Sequence, residues 1–337
     1  MSTVTTPSDT LPTLRHDYLP ILLVPLMAIV ALPLVGNPTS WITLTVAALA
    51  MGMMIFVMAS GLTLVFGLMD VLNFGHGAFI AVGAYLALSA LGPLSAWAGS
   101  DSLGLNLAAL TLAILAGMIG TGALGFAFER IIIRPVYGQH LKQILITMGG
   151  LIVAEQLIHV IWGGDQKAMA LPPGLRGAIL LGDVALEKFR LLAVIVGLIV
   201  YAAMTLVLNR TRIGLLIRAG VENSEMVEAL GYRVRRLFVG VFVAGSALAG
   251  LGGVMWALYR ETLTAGIGSD VMVLVFIVII IGGLGSVGGC FLGSILVAMM
   301  ANYTGYVAPK IALASNILLM VAILLWRPQG LYPVAKR

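Results

Sequence analysis

The chain has 337 residues, 60% of them hydrophobic and only 10% charged, with a mean hydropathy of +1.08. A soluble globular domain does not carry that balance, because its surface would lack polar groups to face water; the composition describes a polytopic membrane protein. The net charge of +5 points to no nucleic-acid partner, since the basic residues are spread over loop ends as membrane insertion requires, and one cysteine (Cys290) with four scattered histidines supplies neither a disulfide framework nor a metal cluster.

Met1–Asp17 is polar, with Pro and Thr, and reads as a disordered tail. Tyr18–Val35 is the first apolar run. Its basic flank is weak (Arg15 alone), and Pro20, Pro25 and Pro33 punctuate it, so it reads as a kinked, retained helix rather than a cleaved signal. Gly36–Ser40 is a turn. Trp41–Phe66, Ala78–Leu94, Leu105–Phe128 and Gln143–Trp162 are the next four spans. A mixed polar loop covers Gly163–Arg190. Leu191–Leu208 is the sixth span and Leu237–Tyr259 the seventh. The apolar stretch from Val271 through Ser294 to Tyr303 exceeds one bilayer and is interrupted by GGLGSVGG, so it predicts two helices or half-helices. Ile311–Trp326 is the last span. The expected fold is all-α, a polytopic membrane protein of about ten transmembrane or half-membrane helices. A membrane-spanning domain over 18–327 lies between polar tails at 1–17 and 328–337.

Between the sixth and seventh spans lies the most charged stretch, Asn209–Arg236. It holds Arg210, Arg212, Arg218, Arg233, Arg235 and Arg236, with Glu222, Glu225 and Glu228 between them. Segments this basic stay in the cytoplasm. Both termini are then cytoplasmic, and thirteen basic residues fall inside against six outside. Within the stretch, Val221–Leu230 predicts a short helix. Asn223 is placed to cap its start, and Gly231 to end it in a left-handed conformation. Met226, Val227 and Leu230 would share an apolar face. Such a helix suits docking of a soluble partner, or is an ordinary surface helix of a positive-inside loop.

Four other features bear on chemistry. In Gly61–Tyr85, glycines at 61, 67, 75, 77 and 83 surround Asp70, Asn73 and His76. A charge at mid-bilayer costs about 2.5–3.5 kcal/mol, so Asp70 is expected against protein, water or the membrane edge. Glycine-broken helices with polar side chains build transport paths. The alternative is a short inside turn over Met69–Gly77, with Asn73 and His76 capping the next helix. Glu155 and His159 stand four residues apart on one helix face, with Gln156 beside them, as a proton relay or as groups satisfied by neighbouring helices. Gly283–Gly288 matches G-x-G-x-x-G without the strand–turn–helix that would make it a dinucleotide site. Gly285, Gly289 and Gly293 instead fit close helix packing in lipid. In Phe128–Lys142, Arg130, Arg134 and Pro135 form a rigid basic connector that joins a partner surface or anchors helices at the headgroups. No Walker loop is present, so ATP-driven activity requires another subunit.

GLTLVFGLMDVLNFGHGAFIAVGAY, FERIIIRPVYG, LITMGGLIVAEQLI, RTRIGLLIRAGVENSEMVEALGY, IGGLGSVGGCFLGS and LLWRPQGLYP occur in that order. Together they resemble the LivH-type permease subunit of branched-chain amino-acid ABC importers, from about Ser60 to Pro333. The resemblance implies a bacterial inner-membrane, non-enzymatic subunit that moves branched-chain or related small amino acids and amides by alternating access. It implies a second, LivM-like permease, two ATPase subunits that bind ATP and Mg, and a periplasmic substrate-binding protein. The chain itself holds no cofactor and touches membrane lipid rather than nucleic acid. In the coupling loop 209–236, Glu222, Glu225, Met226, Val227, Glu228, Ala229, Leu230 and Gly231 would meet the ATPase. Asn73, Phe74, His76 and Gly77 carry the family's N-F-x-H-G pattern and, with Glu155, are the candidates for the translocation path. The competing reading is a self-sufficient secondary transporter of a small polar solute, which would want paired intramembrane charges and an inverted repeat.

Overall fold

The structure, a computed structural model, describes residues 18–333 except Asn223, and leaves aside the side chains of Arg218, residues 221–225 and Leu313. Among the described residues the helices are α1 (Leu19–Val35), α2 (Pro38–Met69), α3 (His76–Leu91), the single turn α4 (Ser95–Ala98), α5 (Leu103–Phe128), α6 (His140–Trp162), α7 (Lys188–Arg210), α8 (Arg212–Glu222), α9 (Ser224–Ala229), α10 (Val234–Arg260), α11 (Ile267–Gly282), α12 (Val287–Val307) and α13 (Ala312–Trp326). The expected all-α membrane bundle is therefore observed, with ten long helices. Six of them are long and apolar enough to cross a membrane, counting α5 together with the short helical turns that continue it to Val136. The expected tail at 1–17 and the last four residues, 334–337, of the expected tail at 328–337 lie outside the described residues; the rest of the latter does not hang free, since Leu331 is buried and its N–H donates to the Ile281 carbonyl of α11.

Why the chain breaks where it does is local chemistry. Pro38 opens α2, where its missing N–H is not needed, and the Asn37 side chain accepts from the Thr39 N–H at 2.9 Å. The α11–α12 break falls within GGLGSVGG: Gly283 and Gly285 take φ of +95° and +81°, which a side chain would resist, and Ser286 Oγ accepts from the Gly289 N–H at 3.1 Å to start α12.

The core is α2 and α10. Met53–Thr63 of α2 and Ala249–Leu258 of α10 are buried throughout. Against α10 pack α2, α3 and α5; α12 packs on the other side of α2, and α11 runs between α3 and α12. The helices approach closely through glycine. A Cβ on Gly253 would overlap the Ile80 carbonyl, and one on Gly83 would overlap Gly250. In lipid the hydrophobic effect does not press helices together, so close van der Waals contact between small residues does. The expected packing role of Gly285, Gly289 and Gly293 is observed against Gly67, Gly282 and the Val278 carbonyl.

Two parts differ from the reading of the sequence. The loop after α6 is not merely polar coil. It forms an antiparallel hairpin, β2 (Ala178–Leu181) with β3 (Val184–Glu187), after β1 (Lys167–Ala168), which pairs with β4 (Thr262–Leu263). Gly182, at φ +62°, is the first of the two turn residues, as a tight hairpin turn wants. The charged stretch is two helices rather than one. The first starts at Arg212, eleven residues before the expected Asn223 cap, and Asn223 itself lies outside the described residues.

Candidate functional site

Two helices begin inside the bundle rather than at its faces. After Met69 the chain turns at Asp70, whose φ of +51° an aspartate tolerates, and runs non-helically to Gly75. His76 then lies beside Met58, eleven residues or about 16 Å back along α2. So α3 starts near the middle of the bundle. From the other end, the strand β4 leads into α11, whose first turn reaches the same depth: a Cβ on Gly268 would overlap the Gly77 carbonyl. The amino ends of α3 and α11, each carrying partial positive charge, thus meet deep in the protein.

The polar side chains around that crossing are accounted for one by one. His76 is 1% exposed, and its Nε2–H donates to the Met58 carbonyl at 2.8 Å, tying the start of α3 to α2. Neither Asn73 nor His76 caps α3 with its side chain, as the short-turn alternative required; Gly75 stands at the cap. Asn73 is also 1% exposed, and both polar atoms of its amide are buried without a partner. Phe74 donates its N–H to Thr147 Oγ1 of α6 at 3.1 Å, and its ring lies 4.7 Å from that of Phe276 in α11. Glu155 of α6 accepts a hydrogen bond from the Ser269 hydroxyl in the first turn of α11. Asn73, Phe74, His76, Gly77 and Glu155 therefore do gather where α3, α6 and α11 meet. His76 is buried as a tie between helices, whereas Glu155 stands at a partly open edge.

Reading the sequence missed one member of this group. Asp270 follows Ser269 and is exposed although it lies at the depth of the crossing. Gln156, weighed only beside the relay, is exposed on the same helix as Glu155. Polar groups at such depth face protein or water rather than lipid. The signal for Asp270 was present, as an acid preceding a long apolar run. Asp70, by contrast, is at the bundle's end, largely exposed and 3.8 Å from His140 Nε2, as its insertion cost demands.

The second candidate region is the elbow formed by α8 and α9. Val227 is 4% exposed and Ile217 5%, and these hold the elbow against the bundle, where α8 touches α2, α7 and α10 and α9 touches α10. Met226 and Leu230 are 61% and 71% exposed, one turn apart. The expected shared face thus holds for Met226 and Leu230 but not for Val227, which points inward because it anchors the elbow. Gly231 has φ +87°; its N–H donates to the Glu228 carbonyl and that of Tyr232 to the Val227 carbonyl, a Schellman ending. Glu228 and Ala229 are exposed, while the side chains of Glu222 and Glu225 lie outside the described residues.

Comparison with known proteins bears on both regions. The family model described as "Branched-chain amino acid transport system / permease component" matches residues 44–326. The permease protein BraD of a high-affinity branched-chain amino acid transport system in Pseudomonas aeruginosa is 31% identical over 294 residues, covering 85% of this chain and 94% of that protein. The corresponding LivH of Salmonella typhimurium is 25% identical, covering 81% and 89%. The LivM permease of Escherichia coli is 26% identical, covering 87% and 71%.

Proposed function

The chain belongs to the family of branched-chain amino acid transport permeases, and on that footing we propose how it works as the membrane subunit of an ATP-binding-cassette importer. Its substrate is a branched-chain amino acid, moved from periplasm to cytoplasm across a bacterial inner membrane. Separate subunits bind and hydrolyse ATP, a periplasmic binding protein delivers the ligand, and a related, LivM-like permease completes the pair. Family membership favours this reading over a self-sufficient secondary transporter.

The observation that carries the mechanism is the elbow. An exposed Met226–Leu230 pair rides on a helix that buries Val227 and touches α10, while α8 touches α2, α7 and α10. Force applied to the elbow therefore passes to the two core helices. The bundle end bearing the elbow carries ten of the described basic residues against six at the opposite end, which supports a cytoplasmic elbow. The translocation path is assigned to the face where α6 meets α3 and α11. α6 is only 11% buried in its apolar window yet presents Gln156 and Glu155, so this face suits a partner permease and water rather than lipid. Two helix amino ends favour a carboxylate there, and Glu155 with Asp270 favours an ammonium, the two charges of an amino acid. ATP on one side and loaded binding protein on the other bias a two-state equilibrium, and no bond chemistry falls to this chain.

The test is Met226→Asp with Leu230→Asp. The double variant is expected to insert normally, while co-purification of the ATPase subunits and uptake fall at least about tenfold, since two charges then face an apolar contact. Normal co-purification and uptake would remove the docking assignment.

A further inference from the structure

At the elbow end of the bundle a cavity of about 390 Å³ opens between α5 and α10, lined by Phe126, Glu129, Arg130, Arg134, Arg235 and Arg236, with Val239 behind. Four guanidiniums face one carboxylate. Glu129 is 2% exposed and forms part of the floor; Arg235 and Arg130 attract its carboxylate, yet among the described residues none of the four arginines has a carboxylate oxygen within 4 Å. The backbone sets this up: α5 widens into a π-helical turn over Glu129–Ile133 and tightens into a 3₁₀ turn at Arg134–Val136, a local irregularity of the kind that marks functional sites. That change of pitch lets Arg130 and Arg134 share the cavity with the start of α10.

The walls change character along the membrane normal. One turn deeper than Arg130, Phe126 is 45% exposed and closes the cavity on the apolar side; Ile131, 72% exposed, continues the apolar surface outside it. Arg130 lies 6.0 Å from the Phe126 ring centroid. A free anion has no use for the apolar wall that Phe126 and Val239 provide. A membrane lipid does, because its headgroup phosphate and its acyl chains need those two surfaces at that spacing.

We propose that this cavity is a binding site for an anionic phospholipid of the leaflet on the elbow side, its phosphodiester held by Arg130, Arg134, Arg235 and Arg236 and its glycerol and first methylenes against Phe126 and Val239. Arg235 and Arg236 also line a second cavity of about 400 Å³ with Glu228, Tyr232 and Arg233 beside the elbow. A bound lipid would therefore brace the root of the helix that carries the elbow.

Native mass spectrometry of the full-length chain, released from bilayers of equal phosphatidylglycerol and phosphatidylcholine, tests this. The wild-type chain is expected to retain phosphatidylglycerol selectively. Arg130→Gln with Arg235→Gln is expected to lower that retention about 25-fold, at about fivefold per arginine. Arg130→Lys with Arg235→Lys is expected to keep most of it. Should the glutamine pair fail to fold, Arg134→Gln and Arg236→Gln are each expected to lower retention about fivefold, and no change in both overturns the proposal. Equal retention of the two lipids overturns it. So does displacement of the lipid by millimolar inorganic phosphate, which would make the ligand a free anion. Protection of Arg134→Cys from maleimide by the ATPase subunits in pure phosphatidylcholine, with no selective lipid retention, would assign the cavity to a protein contact instead.

Discussion

α10 and α6 are both apolar helices of bilayer length, yet 56% of the apolar window of α10 is buried within this chain against 11% for α6. The difference lies in side-chain size, not in hydropathy. α10 carries Gly245, Gly252 and Gly253, each of which lets a neighbouring helix come into backbone contact, and Gly250, which makes room for the Thr121 side chain. Along α6, by contrast, Leu141, Leu145, Ile152, Val153, Leu157, Val160 and Ile161 stand exposed, and Gly149 has no neighbour within 4 Å of where a Cβ would sit. One helix is built to be enclosed by its own chain. The other is left for something that this chain does not contain, and its polar Gln156 and Glu155 argue that this is not only lipid.

That contrast breaks if large side chains are tolerated equally in both helices. Gly253→Leu must part α10 from α3 and is expected to cost about 3 kcal/mol or more, abolishing the monodisperse folded peak in detergent. Gly149→Leu is expected to leave the peak unchanged. Equal yields of the two would mean that the glycine contacts do not hold the core.

His76→Ala sharpens the comparison from inside the enclosed half. It removes the bond that ties the start of α3 to the Met58 carbonyl, which keeps its helical donor in α2, and empties the space of a buried ring; it is expected to cost about 1–3 kcal/mol, read as a lower thermal midpoint, with ATPase co-purification intact. An unchanged midpoint with impaired uptake would move His76 from a tie between helices to the path itself. On the open half, Glu155→Ala removes the acceptor of the Ser269 hydroxyl. Its expected effect is about tenfold slower uptake at unchanged folded yield, the size of one charge-assisted hydrogen bond. Unchanged uptake would take Glu155 out of the path. The smallest effect is expected at the elbow: Gly231→Ala puts a side chain at φ +87° and is expected to cost about 1 kcal/mol. Hydrogen exchange should rise across residues 224–231 and nowhere in α2 or α10.

Much of this was legible beforehand, for identifiable reasons. The helices announced themselves because lipid forbids unpaired backbone, so every long apolar run has to close its hydrogen bonds within itself. Gly231 marked the end of α9 because few other residues accept its conformation. The hairpin around Gly182 was missed although Gly-Asp between β-prone residues is a turn signal, since its short strands were read as part of a polar loop. Asp270 went unremarked because hydropathy places it at the edge of a span. Only the re-entry of the chain through Thr262–Gly266 puts it at the depth of His76.

The residues alone determined that this chain lives in a bilayer, roughly where it turns, and that its charged elbow stands apart. Those are consequences of transfer energy and backbone hydrogen bonding, which act locally and are written residue by residue. Tertiary structure decided which apolar helices are enclosed, which way Val227 points, and that the amino ends of α3 and α11 meet beside Glu155. These depend on contacts between segments far apart in the chain, where the fit of one glycine against one carbonyl outweighs any sum of hydropathies.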